Sequence, residues 1–358
     1  MQSQKNTLPQ IDTSNGIEFG LYTLGDIVTN PHTGVRMSEK ERIDQIIEMA
    51  LLAEQAGMDV FQVGESHQEH FVSQAHMIIL SAIAQATKDI KLTSGATIIS
   101  TSDPVRVYED AATIDLISDG RFEVVAGRAS RVGIFDLLGY KLDDYEALFE
   151  EKLDLLLKIN RNKRVTWEGE FRAPLNDAQV LPRPDNESGS LPIWRAVGGS
   201  LNSAKNAAIA GIPLYLAYLG GPAEAFRHLT DAYRETAVHE GYDVNTLPVA
   251  TASYLYVRED AQKAFQEYYP HVNSGMVHSN GQSFPKQQFA QGLDSRSIIN
   301  VGDPSLVIEK LLYQHEVFGM DRYVGQIDLG GVSTDDIKRT IDLLATKVIP
   351  EVKKHTKK

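Results

Sequence analysis

Two hydrophobic rhythms alternate along this chain. Short apolar, β-branched runs predict strands at 17–22, 59–63, 91–99, 122–126, 192–197, 212–217, 247–257 and 321–327. Between them lie stretches with apolar residues three and four apart, such as Ile43, Ile46, Ile47, Ala50 and Leu51, which predict amphipathic helices. Local chemistry marks where those helices begin. Ser38-Glu39-Lys40-Glu41 reads as a capping box, and Asp103-Pro104 and Asp303-Pro304 each pair an N-cap aspartate with proline at the first helical position. Gly57 ends the first helix, and helices are expected at 75–88, 104–117, 145–160, 201–210, 223–240, 303–318 and 333–348. The rhythm pauses twice. Pro174, Pro182, Pro184, Gly189 and Pro192 exclude a long helix over 161–191 and favour a hairpin or wrapped loop. The Asn-, Ser-, Gly- and Gln-rich stretch 266–297 reads as an irregular insertion and a candidate lid.

Eight strands, each followed by a helix, predict an α/β fold, a (β/α)8 TIM barrel with insertions. A doubly wound open sheet would need fewer strands and usually a glycine-rich first turn, and 21–26 contains no G-x-G-x-x-G. The expected organisation is an unstructured N-terminus at 1–15, one barrel domain at 16–350 and a basic tail at 351–358. In such barrels function collects at the C-terminal ends of the strands. The most informative stretch is 92–130, where two strands end in small and polar residues: Ser94-Gly95-Ala96-Thr97, then Gly127-Arg128-Ala129-Ser130.

Composition narrows the chemistry. The 358 residues contain no cysteine, which excludes disulfides, thiolate metal sites and a cysteine nucleophile. A formal charge of −13 argues against nucleic acid or an anionic membrane as partner. No apolar run reaches membrane-spanning length and the polar N-terminus lacks a signal-peptide core, so a cytoplasmic location is expected. His67 and His70 lack accompanying ligands at metal-site spacing, so no metal is expected.

The ordered motifs resemble those of the bacterial luciferase-like, flavin-dependent monooxygenase and oxidoreductase family. They are Gly64-Glu65-Ser66-His67; Ser94–Thr97; Asp103-Pro104-Val105-Arg106 with Glu109-Asp110; Ser118-Asp119-Gly120-Arg121-Phe122-Glu123 leading to Gly127-Arg128-Ala129; Pro192-Ile193-Trp194 before Gly198-Gly199-Ser200; and Val301-Gly302-Asp303-Pro304. The resemblance spans about residues 17–350. It implies a homodimer built on the second and third helices, with FMN or a deazaflavin at the C-terminal mouth. It places Gly127, Arg128, Gly198, Gly199 and Ser200 at the cofactor phosphate, with Ser203 one turn further able to add a hydroxyl. A guanidinium suits a phosphate, and a Gly-Gly-Ser turn at a helix start offers free N–H groups; the same turn also reads simply as a tight turn with Ser200 as N-cap. Ser94, Gly95 and Ala96 fall where the family carries a non-prolyl cis peptide under the flavin ring, and small residues there also suit plain packing.

Glu65-Ser66-His67 departs from the family pattern, because Ser66 stands where luciferase has its histidine base. His67 is therefore the candidate catalytic residue, with a structural histidine as the competing reading. The segment 130–140 is expected over the cofactor, and Tyr22 with Tyr215 or Tyr218 at the mouth. Arg106, Glu109 and Asp110 read as dimer or surface charges. The implied function is a two-component monooxygenase using reduced FMN and O2 on a small organic substrate, with a separate flavin reductase as partner. A deazaflavin-dependent hydride-transfer enzyme and a non-catalytic flavin-binding protein are the alternatives.

Overall fold

The computed structural model describes residues 6–129 and 133–358. In chain order the first half holds β1 (Glu18–Thr23), α1 (Glu39–Gln55), β2 (Val60–Val63), α2 (His76–Ala86), β3 (Lys91–Ile98), α3 (Pro104–Ile117), β4 (Phe122–Gly127), α4 (Gly133–Leu138) and α5 (Tyr145–Arg161). A hairpin of β5 (Val165–Trp167) and β6 (Leu175–Ala178) follows, then β7 (Ile193–Val197), α6 (Leu201–Ile209), β8 (Leu214–Ala217), α7 (Arg227–His239) and β9 (Val249–Val257). The chain finishes with α8 (Ala261–Asn280), α9 (Lys286–Ala290), β10 (Asn300–Gly302), α10 (Pro304–Phe318), β11 (Arg322–Gln326), α11 (Thr334–Leu343) and α12 (Ile349–His355).

Among the described residues, eight parallel strands close in the order β9-β11-β1-β2-β3-β4-β7-β8, with β8 pairing back to β9. This is the expected (β/α)8 barrel. All eight predicted strands are present within a residue or two of their predicted ends. The caps work as the sequence implied: Ser38 and Glu41 form a reciprocal capping box on α1, and Asp103 and Asp303 accept backbone N–H groups at the starts of α3 and α10.

Two expectations are corrected. The stretch 266–297 is largely helical, because α8 runs through Pro270 from the Asp260 cap to Gly281 at φ +70°. Its buried side carries Ala264, Phe265, Tyr268, His271, Val272, Gly275 and Ser279, a helical period in which Pro270, His271, Gly275 and Ser279 interrupt the apolar residues. Gly275 lies against Leu329, whose side chain would have to shift to admit a Cβ, which would stand 2.7 Å from Cδ1. The basic C-terminus is also ordered: Val352 is buried, and Thr356 Oγ1 accepts from Ile17 N at 3.0 Å beneath β1. Of the N-terminal stretch, residues 1–5 lie outside the described residues, while Asn6 Nδ2 donates to Ala210 O at 2.7 Å.

Strand parity splits the buried residues. Phe19, Leu21, Phe61 and Leu92 pack outward against the helices, whereas Tyr22, Val60, Val125, Trp194, Tyr215, Ala250 and Val324 fill the barrel. At the N-terminal end the filling is ionic. Arg322 Nη1 and Nη2 donate to Glu123 at 2.5 and 2.9 Å, Arg322 Nε donates to Glu18 at 2.7 Å, and Trp194 Nε1 donates to Glu123 at 2.7 Å.

Candidate functional site

The C-terminal ends of β3, β4 and β7 carry Gly95-Ala96, Gly127 and Ala196, a floor without large side chains. The Gly95–Ala96 peptide is cis, as the resemblance implied. The floor is tightly built. A Cβ on Gly127 would meet Ala96 Cβ at 2.6 Å, and one on Gly95 would meet Gln62 Oε1 at 2.8 Å. Glycine and alanine are therefore the residues these positions accommodate, and they put no bulky side chain at this end of the three strands. Ser94 points elsewhere: its Oγ accepts from Val125 N at 3.0 Å within the barrel wall, so it supports Gly95 and offers no hydroxyl to the mouth. Beneath the floor, Tyr215 OH donates to Gln62 Oε1 at 2.6 Å, and Gln62 Nε2, Gln326 Nε2 and Thr93 Oγ1 are buried without a hydrogen-bond partner. Tyr22 and Tyr215 face the barrel interior, whereas Tyr218 packs outward on Phe226 and Phe318.

At the rim, Arg128 leaves β4 toward α5 and α6. Its Nη1 donates to Ser203 Oγ at 3.0 Å, and its Nη2 donates to Glu146 Oε2 at 2.8 Å and Glu150 Oε1 at 3.1 Å. Ser203 N in turn donates to Ser200 Oγ, the cap of α6, so the predicted Arg128, Ser200 and Ser203 form one linked group. Gly198, Gly199 and Ser200 are exposed at the helix start. Burial first, and then the neighbouring Arg195, lower the Arg128 pKa.

Sequence reasoning missed Arg195. This residue is 1% exposed on β7, donates from Nε to Ser203 Oγ at 3.0 Å and from Nη1 to Glu150 Oε2 at 2.9 Å, and shares the Phe149 face with Arg128. Strand parity carried the signal, because Trp194 inside the barrel puts Arg195 on the helix side, facing the same helices as Arg128. Burial opposes it, yet Arg195 and then Arg128 hold the Glu150 carboxyl below its ordinary value.

The third element lies on the loop after β2. His67 Nε2 and Glu65 Oε1 are 2.6 Å apart, Ile98 N donates to Glu65 Oε2 at 2.7 Å, and Glu65 N donates to Ala96 O at 2.9 Å. A carboxylate at Glu65 accepts, so His67 Nε2 carries the proton and Nδ1 is left to exchange one. His76, also missed, stands with Nδ1 3.9 Å from Glu65 and Nε2 2.8 Å from Thr97 Oγ1. Burial lowers its pKa to about 4. Ser66 is buried beside this pair.

The remaining predicted groups have other surroundings. Arg106 pairs with Glu109 at 2.5 Å and Asp110 at 3.4 Å on the exposed side of α3. The predicted cover at 130–140 falls partly on residues 130–132, outside the described residues; Phe135 packs on Tyr145 at 5.6 Å. Among the described residues, no three His, Asp or Glu side chains gather to hold a metal, and no helix is long and apolar enough to cross a membrane.

Known proteins share this arrangement of chain. The oxygenase component of the flavin-dependent trigonelline monooxygenase of Acinetobacter baylyi is 22% identical, the match covering 93% of this chain and 95% of that one. The crystal structure of monooxygenase RslO1 from Streptomyces bottropensis superposes with a TM-score of 0.81 at 23% identity, covering 93% of this chain and 99% of the other. The coenzyme F420-dependent tetrahydromethanopterin reductase of Methanopyrus kandleri gives 0.70 at 19% identity, covering 94% and 99%. The model of the luciferase-like monooxygenase family matches residues 17–321, and the chain belongs to that family.

Proposed function

We propose that this chain is an FMN-dependent monooxygenase, the oxygenase component of a two-component system that takes reduced FMN from a separate flavin reductase and acts with O2 on a small organic substrate. The observation that carries the reading is a floor of small residues, Gly95, Ala96, Gly127 and Ala196, next to the Arg128–Ser203–Ser200 group at the rim. A planar ring fits the first and a phosphate the second. Bound FMN supplies the oxygen chemistry. The residues of this chain do the rest. Arg128 and Ser203 hold the phosphate, together with the N–H groups of the Gly199-Ser200 turn. Gly95, Ala96 and Gly127 support the ring, and Ser94 anchors their strand. His67, held at Nε2 by Glu65, has Nδ1 to donate or accept a proton.

A homodimer through α2 and α3 is supported by Ile78, 73% exposed, with Leu116 and Ile117 also exposed on the same pair of helices. The acidic, cysteine-free composition suits a cytoplasmic enzyme.

Hydride transfer from a deazaflavin is the second reading, favoured by the fold shared with an F420-dependent reductase. Titrating the apo protein with reduced FMN, oxidised FMN and deazaflavin, followed by fluorescence, separates the two. Preference for reduced FMN is expected. Preference for deazaflavin would replace oxygenation with hydride transfer, and binding of no flavin would refute the cofactor assignment. Flavin bound without exchange and without oxygen-dependent turnover would point to a binding protein.

A further inference from the structure

The arginine assigned to the cofactor phosphate already holds two carboxylates, and these are not equivalent. Glu150 belongs to the architecture of the rim. Its two oxygens receive Arg195 Nη1 and Nη2, and Oε1 also receives Asn206 Nδ2 at 3.3 Å, so it is the counter-ion of a fully buried guanidinium. Glu146 has no such duty. Its side chain is 71% exposed, and its hydrogen bond among the described residues is the one from Arg128 Nη2 at 2.8 Å. It stands in the first turn of α5, where the helix dipole stabilises a carboxylate without any partner.

Charge completes the argument. Arg128 and Arg195 carry two positive charges and Glu146 and Glu150 two negative ones, so the group is neutral as it stands. A phosphate dianion approaching Arg128 competes with Glu146 for the terminal nitrogen that Glu146 shares with Glu150. Arg128 Nη1 is committed to Ser203, and Nε is buried without a partner, so Nη2 is the nitrogen at issue. We propose that Glu146 is an internal competitor for the cofactor phosphate and sets reduced FMN to bind weakly and exchange readily. This rests on the flavin reading above. A cofactor that is handed over from a reductase at each turnover has to leave again, and a carboxylate returning to Arg128 assists its departure.

The test compares the wild-type protein with Glu146→Gln and Glu146→Ala, using FMN, riboflavin and inorganic phosphate as ligands. Riboflavin has the ring and lacks the phosphate. With the competing charge removed, the FMN dissociation constant is expected to fall about threefold to tenfold, mostly through slower release, with riboflavin unchanged. Inorganic phosphate should tighten in parallel. FMN bound by the wild type with a constant that neither substitution moves would overturn the proposal and leave the flavin reading standing. So would FMN and riboflavin changing together, which would mean that Glu146 acts on the ring or the fold. A protein that binds neither FMN nor phosphate in any of the three forms would remove both.

Discussion

His76 should make this protein acid-sensitive in a way that can be isolated. The imidazole is 4% exposed at the start of α2, with Nε2 bonded to Thr97 and Nδ1 facing Glu65. Burial lowers its pKa to about 4; Glu65 raises it in part, and the neighbouring His67 lowers it further. In the unfolded chain a histidine titrates near ~6.5. Between these two values the unfolded chain binds a proton that the folded protein refuses, so stability rises with pH across that interval. The contribution is complete above pH ~6.5 and is lost as the pH falls toward 4. A difference of about 2.5 units at 1.36 kcal/mol each amounts to about 3 kcal/mol. Asp26 and Asp115 act in the opposite sense. Burial raises both to about 6, so each contributes stability at low pH that is lost as the pH rises through 6. The whole-protein curve therefore mixes opposing slopes, and the informative quantity is the difference between wild type and His76→Gln. Urea unfolding followed by circular dichroism between pH 7.5 and 4 should show the wild type losing about 3 kcal/mol more than the variant. A stability difference that stays constant over that range would refute the buried, neutral histidine.

Three further substitutions probe separate parts of the molecule. Arg128→Ala should weaken FMN at least about tenfold and leave riboflavin unaffected, because a charge-assisted phosphate contact contributes roughly 1.5–3 kcal/mol; equal loss of both ligands in a fluorescence titration would move the phosphate elsewhere. Gly127→Ala forces a Cβ to 2.6 Å from that of Ala96, so urea unfolding should show a loss of about 1–3 kcal/mol and flavin should bind more weakly, whereas unchanged flavin binding would mean the ring does not lie on this floor. Arg322→Met leaves Glu123 without its charge partner inside the barrel, while Glu18 keeps Lys91, and should cost about 3–5 kcal/mol at pH 7, less in acid, where the Glu123 carboxyl, held low by Arg322 against burial, would otherwise lose that pairing.

The barrel was legible because strand chemistry and helix caps are local. Ser38 with Glu41, Asp103-Pro104 and Asp303-Pro304 each announce a helix start within four residues, and each forms the predicted cap. What was missed depends on distant contacts. His76 reaches Glu65 through the β2–α2 loop, and nothing within a few residues of it points to a carboxylate. Arg195 reads locally as a charge interrupting a strand, and its meaning comes from Ser203 and Glu150 on two different helices. The Ser118-Asp119-Gly120-Arg121 motif was visible, yet its role lies at the far end of the barrel from the site. Asp119 at φ +56° and Gly120 at φ +84° turn the chain, and Arg121 donates to the carbonyls of Ala84, Thr87 and Ile90, closing the end of α2.

That contrast separates the work of the two ends of the barrel. At the N-terminal end, charged groups pair in a chain: Lys91 with Glu18, Glu18 and Glu123 with Arg322, and Arg322 over the Trp194 indole, while Arg121 secures the helix layer outside. At the C-terminal end the same strands finish in Gly95-Ala96, Gly127 and Ala196, giving up the dispersion contacts and burial that larger residues would supply there. The small positions are closely packed all the same, since a Cβ on Gly127 would meet Ala96 Cβ at 2.6 Å and one on Gly95 would meet Gln62 Oε1 at 2.8 Å. On the flavin reading proposed above, ligand binding and charge pairing sit on different layers of the same strands. Substitutions in the ionic layer should register in urea midpoints and leave flavin binding unchanged, whereas those in the small-residue layer, such as Gly127→Ala, should register in flavin titrations as well. Arg195 belongs to neither layer alone: it is buried like the first and bonded to Ser203 and Glu150 like the second, so its replacement should register in both.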